Sequence, residues 1–240
     1  MAIIKDFGVV LKEYAWGESN KRLVLLTQHH GKLTVFARGS KRVGSKLAAG
    51  LFCYCEFMIF EGPNFLSLNQ IAPITSFSQI AEDYDSFCTG SYFLELTDKM
   101  VLAKMETAEI LQLLLQAFAQ LAATRHAPGM VFAVFTFRLL KLEGFAPLVD
   151  NCASCDGRLN QNCWFSHEGL ICEVCANTAA QKIWISPQTA AALKYILEAE
   201  IERAFSFTSS ADVQTQLYSA ARLFLEANVD VELKSLKIIT

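Results

Sequence analysis

Between Val9 and Phe77 the apolar positions recur every second residue in short runs. Val9-Val10-Leu11 leading to Tyr14 and Trp16, Arg22 to Thr27, Lys32 to Arg38, Phe52 to Phe60 and Phe65 to Ile74 make five such runs. Turn-forming stretches part them, among them Gly17-Glu18-Ser19-Asn20, His30-Gly31 and Glu61-Gly62-Pro63-Asn64, so the pattern predicts five strands. Beyond Phe77 the period lengthens to that of a helix. Tyr84 to Met105 and Thr107 to Ala123 carry apolar residues at helical spacing, with Leu111, Leu114, Leu115 and Phe118 on one stripe and Thr107 as the starting cap. Pro128-Gly129 opens a third helix running through Phe132, Phe135 and Leu139 toward Gly144. Ser186-Pro187 joins an N-cap to a proline at the first helical position and predicts a helix to about Glu202, and a last helix spans Asp212 to Asn228.

Five strands in roughly seventy residues suit a small closed barrel. The one long connection lies between the third and fourth strands, and Lys46-Leu47-Ala48-Ala49 within it reads as a short helix, which is the plan of an oligonucleotide-binding OB-fold. The expected fold is therefore α+β: an N-terminal OB-fold β-barrel over residues 1–80, then an all-α domain over 81–240 with an excursion at about 150–178. At 240 residues the chain is long enough to bury a sizeable core.

The excursion holds the most specific chemical signal. Cys152-x-x-Cys155 and Cys172-x-x-Cys175 are separated by sixteen residues, the spacing of a four-thiolate zinc ribbon in which each pair bites the metal from a tight turn. The segment between them is long enough for a hairpin, with a turn at His167-Glu168-Gly169. One structural Zn2+ is the expected cofactor; the alternative, a pair of disulfides, requires an oxidising compartment. Lys5 and Asp6 interrupt the apolar N-terminus and no apolar run is long enough to span a bilayer, so a cytoplasmic protein with reduced thiols and no membrane partner is expected. Cys53 and Cys55 alternate onto one face of a strand and read as packing, as do Cys88 and Cys163.

Charge is distributed unevenly. Residues 1–50 carry nine Lys and Arg against three Asp and Glu, although the whole chain has a net charge of −3, so a basic head precedes an acidic body. The segment Arg38 to Lys46 sets Arg38, Lys41, Arg42 and Lys46 with two serines among glycines. It is not a phosphate-binding P-loop, because Ser45 precedes Lys46 where that loop requires Gly-Lys-Ser/Thr. A cationic, glycine-rich connection instead suits a polyanion bound without regard to sequence. With Lys32, Lys21 and Arg22 nearby, and Trp16 beside a turn glycine as a base-stacking ring, these residues form the expected DNA-binding set. Phe36 reads as core from its alternation with Val35, and His29 and His30 as surface. No Gly-x-Ser-x-Gly elbow is present, and four cysteines close a zinc shell against water. No catalytic residue is therefore assigned.

Phe137-Arg138-Leu139-Leu140-Lys141-Leu142-Glu143-Gly144-Phe145-Ala146-Pro147, running into Cys152-Ala153-Ser154-Cys155, resembles the approach to the first zinc pair in the RecO family of bacterial DNA repair and recombination mediators. The tail Leu233-Lys234-Ser235-Leu236-Lys237 is similar to that family's C-terminus, and the resemblance spans nearly the whole chain. The chain departs from it in lacking a proline at Gly50-Leu51-Phe52-Cys53. The resemblance implies a protein that is not an enzyme. It implies binding of single- and double-stranded DNA, annealing of complementary strands and, with RecR, loading of RecA onto DNA coated by the single-strand-binding protein SSB. It also implies a cytoplasmic location, at the nucleoid when DNA is bound. Partner contacts, including the acidic SSB tail, are expected in the helical region, where Arg125 and Arg138 are sparse cations. The rival expectation is a sequence-specific transcription regulator reading DNA with the ribbon, which the acids Asp156, Glu168 and Glu173 disfavour. A metal-assisted nuclease or ATPase comes third.

Overall fold

A computed structural model describes residues 2–40, 47, 50–103, 106–160 and 162–239. Five strands, β1 (Ile3–Trp16), β2 (Asn20–Thr27), β3 (Lys32–Ala37), β4 (Cys53–Glu61) and β5 (Leu66–Ser76), close a barrel in the order β1-β2-β3-β5-β4. All neighbours are antiparallel except β3 and β5, the arrangement of an OB-fold. The interior is filled by every second residue: Leu23 and Leu25 of β2, Val35 and Ala37 of β3, Cys53, Cys55, Phe57 and Ile59 of β4. Burial of the Cys55 thiol pushes its pKa up to about 12, so it stays neutral and packs as a small hydrophobe. Lys46, Ala48 and Ala49 of the expected short helix lie outside the described residues.

The first strand starts six residues earlier than its apolar pattern implies, because Asp6 lies within it and is fully buried. A buried carboxylate survives only when its oxygens are saturated with donors. Oδ1 accepts from the Phe7 amide (2.8 Å) and His29 Nδ1 (2.9 Å); Oδ2 accepts from the amides of His29 (3.1 Å) and His30 (3.0 Å) and from His30 Nδ1 (2.6 Å). Burial alone raises the carboxyl pKa, but the His30 and His29 rings and the amides outweigh it and hold it at about 2. An ionised carboxylate only accepts, so both imidazoles carry a proton on Nδ1. His29 and His30 are thus exposed yet structural, pinning the β2–β3 turn to β1.

Helices α1 (Tyr84–Met100) and α2 (Ala108–Ala122) follow the barrel. Asp83 caps α1 by accepting from the Ser86 amide at 2.8 Å. The helix ends at Met100, short of the expected Met105, where Val101 turns extended and is buried. Phe52 has φ +54°, a left-handed conformation that is unfavourable for a bulky residue. Its ring packs edge-on against Phe87 and Phe118 at 5.9 and 5.3 Å. Gly90 makes the room, since a Cβ there would come within 2.8 Å of the Phe52 ring. Thr107 caps α2 by backbone position while its hydroxyl donates to the Thr27 carbonyl at 2.6 Å. The C-terminal tail is tied to α1 by Glu95, which accepts from the Lys234 and Ser235 amides and the Ser235 hydroxyl at 2.5–3.1 Å.

Packing gathers Met1–Ala123 with Leu233–Thr240 in one compact unit and Thr124–Glu232 in a second. The change from strand to helix falls at the boundary drawn near residue 80, but α1 and α2 pack with the barrel in the first unit. In the second unit α3 (Pro128–Leu142) is buried on every side from Met130 to Leu140, as expected of a helix apolar all round. Against it pack α5 (Pro187–Glu198) and α6 (Ala211–Asn228), both capped by serines, Ser186 on the Thr189 amide and Ser210 on the Val213 amide. The remaining elements are β6 (Cys163–Phe165), β7 (Leu170–Cys172), the single turn α4 (Glu173–Ala176) and β8 (Ile183–Ile185). The three strands form a small sheet in the order β7-β6-β8, one strand more than the expected hairpin. Phe165 of β6 inserts between Phe137 and Phe224 at 5.9 and 6.1 Å, which plugs the ribbon into the helical core.

The Asp6 carboxyl is held at about 2 against an ordinary 3.8. Its contribution is therefore full above pH 4 and is lost as pH falls toward 2. Asp6→Asn is expected to cost about 2 kcal/mol at neutral pH and to narrow its deficit across that acid window, measured by urea unfolding as a function of pH.

Candidate nucleic-acid interface and metal centre

Because alternate residues fill the barrel, the remaining ones form its outer face, and strand register sets their order. Tyr14 lies opposite Arg22, Arg22 opposite Phe36 and Phe36 opposite Ser67, so one row across four strands reads ring, cation, ring, hydroxyl. The Arg22 guanidinium sits 4.5 Å from the Tyr14 ring centre, with Lys12 Nζ at 4.9 Å. Next to the row, Trp16 lies 4.6 Å from Phe36, Phe65 lies 5.8 Å from Phe36, and Arg38 is 5.3 Å from the Phe65 ring. Trp16 and Phe65 are 47% and 40% exposed. Phe36 is accordingly not core. Val35 is wholly buried, and alternation sends its neighbour outward.

The predicted cations separate into groups. Arg22 and Arg38 join this face. Lys21 sits beside it but is bound to Glu13 at 2.5 Å. Lys32 is taken up by α1: it donates to the Asp98 carbonyl at 2.6 Å, lies 3.6 Å from the Asp98 carboxylate and is only 19% exposed, so it joins β3 to α1. Lys41, Arg42 and Lys46 lie outside the described residues. Of the cations expected to meet partners, Arg125 is exposed, whereas Arg138 is buried. Its Nη1 donates to the carbonyls of Ile196, Leu197 and Ala199 at 2.8–3.1 Å. Arg138 thus satisfies the C-terminal carbonyls of α5, and this corrects its placement on a partner surface. It also helps end that helix at Glu198, before the expected Glu202.

In the second unit the Sγ atoms of Cys152, Cys155, Cys172 and Cys175 all lie within 4.8 Å of one another, the only such group of metal-ligating side chains among the described residues. Cys152 and Cys155 bracket a turn in which the Asp156 amide donates to the Cys152 carbonyl and the Cys152 amide to the Gly157 carbonyl, both at 2.8 Å. Cys172 ends β7 and Cys175 lies in α4. Gly169, at φ +138°, lets the β6–β7 turn press against Leu148, whose carbonyl would be 2.1 Å from any Cβ there.

The donor set fits a tetrahedral dication. Four thiolates at about 2.3 Å from a metal stand roughly 3.8 Å apart, and Cys155 and Cys172 Sγ are 3.9 Å apart. Burial raises the Cys152 pKa, but the amides of Cys172, Ser154 and Cys155 outweigh it and bring it down to about 6. The thiols beside that sulfur push Cys175 up to about 12. One thiolate is thus stabilised by the backbone, and ionising Cys175 beside it calls for a cation among them. Cys163 is buried outside the group, opposite Cys172 in the β6–β7 register.

Comparison with known proteins covers nearly the entire chain. Residues 1–77 match the family model described as Recombination protein O N terminal, and residues 81–237 match Recombination protein O C terminal. Among relatives, "DNA repair protein RecO" of Acetivibrio thermocellus is 28% identical over 100% of this chain and 97% of its own length. The protein of the same description from Clostridium novyi is 27% identical over 99% and 94%, and that from a Nocardioides species is 30% identical over 72% and 74%.

Cys152→Ser and Cys172→Ser are each expected to abolish stoichiometric metal and lower the melting temperature, whereas Cys163→Ala keeps the metal. Metal analysis together with thermal melts in the presence and absence of chelator checks this.

Proposed function

The chain belongs to the RecO family of DNA repair and recombination proteins, and we propose that it acts without catalysing a reaction, by binding single- and double-stranded DNA and annealing complementary strands. Annealing brings two polyanions together, so the protein must neutralise phosphates on both while leaving bases free to pair. Cations bind phosphate with little sequence preference, and aromatic side chains hold bases of any kind. The observation that carries the reading is the outer barrel face, where Arg22 and Arg38 alternate with Tyr14, Phe36, Phe65 and Trp16. Along the sequence Arg38 is followed by Lys41, Arg42 and Lys46, which belong to the same proposed DNA-binding set.

The metal in this reading is one Zn2+ with a structural role. A shell of four cysteines leaves no place for substrate or activated water, and Asp156, Glu168 and Glu173 make the ribbon a poor partner for phosphate. The same observation weighs against a transcription regulator that reads DNA with the ribbon. As a mediator in the cytoplasm, at the nucleoid when DNA is bound, the protein would work with RecR to help RecA displace SSB, with the exposed Arg125 available to an acidic partner tail.

Reversing the charge of Arg38, Lys41, Arg42 and Lys46 together is expected to abolish annealing of SSB-coated complementary strands, assayed without nucleotide, while melting temperature and metal content stay at wild-type values. Unchanged DNA binding at moderate salt in that variant overturns the assignment.

A further inference from the structure

We infer that the mouth of the barrel between the starts of β1, β3 and β5 is a docking site for a basic segment of a protein partner, one that inserts an arginine together with an aliphatic side chain. The inference stands apart from DNA binding, which is assigned above to the outer face, and concerns a partner of opposite charge to nucleic acid.

A barrel filled by alternate residues still has two ends, and one of them is open here. A cavity of about 570 Å³ lies at that end, within the first unit, and the mouth of a barrel is a common place for a binding site. Ile4 of β1, Leu33 of β3 and Leu66 of β5 line it. Each is half-buried and packs on the barrel core, so the apolar interior continues out to the mouth. The polar walls are all of one kind. Glu61 ends β4 and Glu106 precedes α2; both are exposed, and neither is paired with a cation among the described residues. His29 and His30 complete the wall and are 59% and 43% exposed. Asp6 fixes what these rings offer. Each spends its Nδ1 proton on that buried carboxylate, which leaves Nε2 of the neutral ring as a bare acceptor.

The cavity therefore presents acceptors around an apolar floor, and among the described residues lining it there is no lysine or arginine. Two exposed carboxylates stand near a third, Asp6, whose charge is enclosed. Such a site repels phosphate. The positive end of α2 lies beside it, but Glu106 and Glu109 flank the start of that helix and answer its dipole. A guanidinium is the complement of this wall. It has five N–H donors and no acceptor, stays charged, and is more weakly hydrated than an ammonium, so it enters a half-apolar site at smaller desolvation cost. The methylenes of its stem and an aliphatic neighbour cover Ile4, Leu33 and Leu66. A free polyamine has no branched apolar group for that floor, which favours a peptide as the occupant.

The test titrates a fluorescein-labelled peptide of repeated Leu-Arg with the full chain at about 0.15 M salt, read by fluorescence anisotropy. Glu61→Gln with Glu106→Gln is expected to weaken binding roughly tenfold or more. Glu168→Gln with Glu173→Gln, an equal change of charge on the ribbon, is expected to alter it less than about twofold. Lysine in place of arginine in the peptide is expected to cost about threefold or more. Equal losses in the two double variants mark attraction to acid anywhere on the protein and overturn the inference, as does the absence of saturable binding. A lysine peptide that binds equally well overturns it too. Displacement by an equimolar amount of spermidine marks a free amine as the occupant and overturns the assignment to a peptide. Nitrogen NMR of the imidazoles gives a reading that needs no variant. On adding the arginine peptide, the Nε2 resonances of His29 and His30 are expected to shift as acceptors of a new hydrogen bond while their Nδ1 resonances stay in place, and unmoved Nε2 resonances in both rings overturn the site.

Discussion

A strand in a closed barrel can give only every second side chain to the interior, and the rest of the first unit follows from that constraint. Leu23, Leu25, Val35, Ala37, Cys55, Phe57 and Ile59 fill the inside. Their neighbours must then face outward, however apolar they are. Phe36 is such a neighbour, and with Trp16 and Phe65 it makes an aromatic surface where a merely soluble protein would carry polar groups. Cations set across from the rings give that surface its chemistry. The proposed DNA face is thus the reverse side of the core, and neither can change register without the other.

Two further devices hold the barrel unit in shape. One is polar: Asp6 satisfies two turn amides and two imidazoles with one carboxylate, fixing the β2–β3 turn. The other is apolar: Phe52, in a left-handed conformation, seats its ring between Phe87 and Phe118 in room left by Gly90. In the second unit the same division holds. Arg138 answers the carbonyls at the end of α5, while Phe165 inserts the ribbon between Phe137 and Phe224. The four-cysteine group is therefore continuous with the helical core through β6.

Legibility in the sequence tracked the range of the interactions concerned. The two Cys-x-x-Cys pairs were readable because both members of each pair sit in one turn, and the Ser186-Pro187 start was readable because a cap acts over three residues. Lys32 was misread because Asp98, which binds it, lies sixty-six residues away. Arg138 looked like a rare surface cation because its carbonyl partners are some sixty positions further on. The start of β1 was missed because a buried aspartate interrupts the alternation, and only His29 and His30 explain how it is tolerated. Phe65 drew no notice because its place beside Phe36 depends on a parallel β3–β5 pairing that no local pattern announces.

By itself the sequence determined the five barrel strands and the main helices, the OB plan, the four cysteines that could hold a metal and the basic segment from Arg38 to Lys46. These rest on periodicity, spacing and composition, which are properties of neighbouring residues. Only the tertiary structure decided which cations remain on the barrel face, which are taken up by carboxylates or helix ends, and which rings lie together on its outside. Those outcomes depend on strand register and on contacts between residues far apart in the chain, and register is settled when the barrel closes.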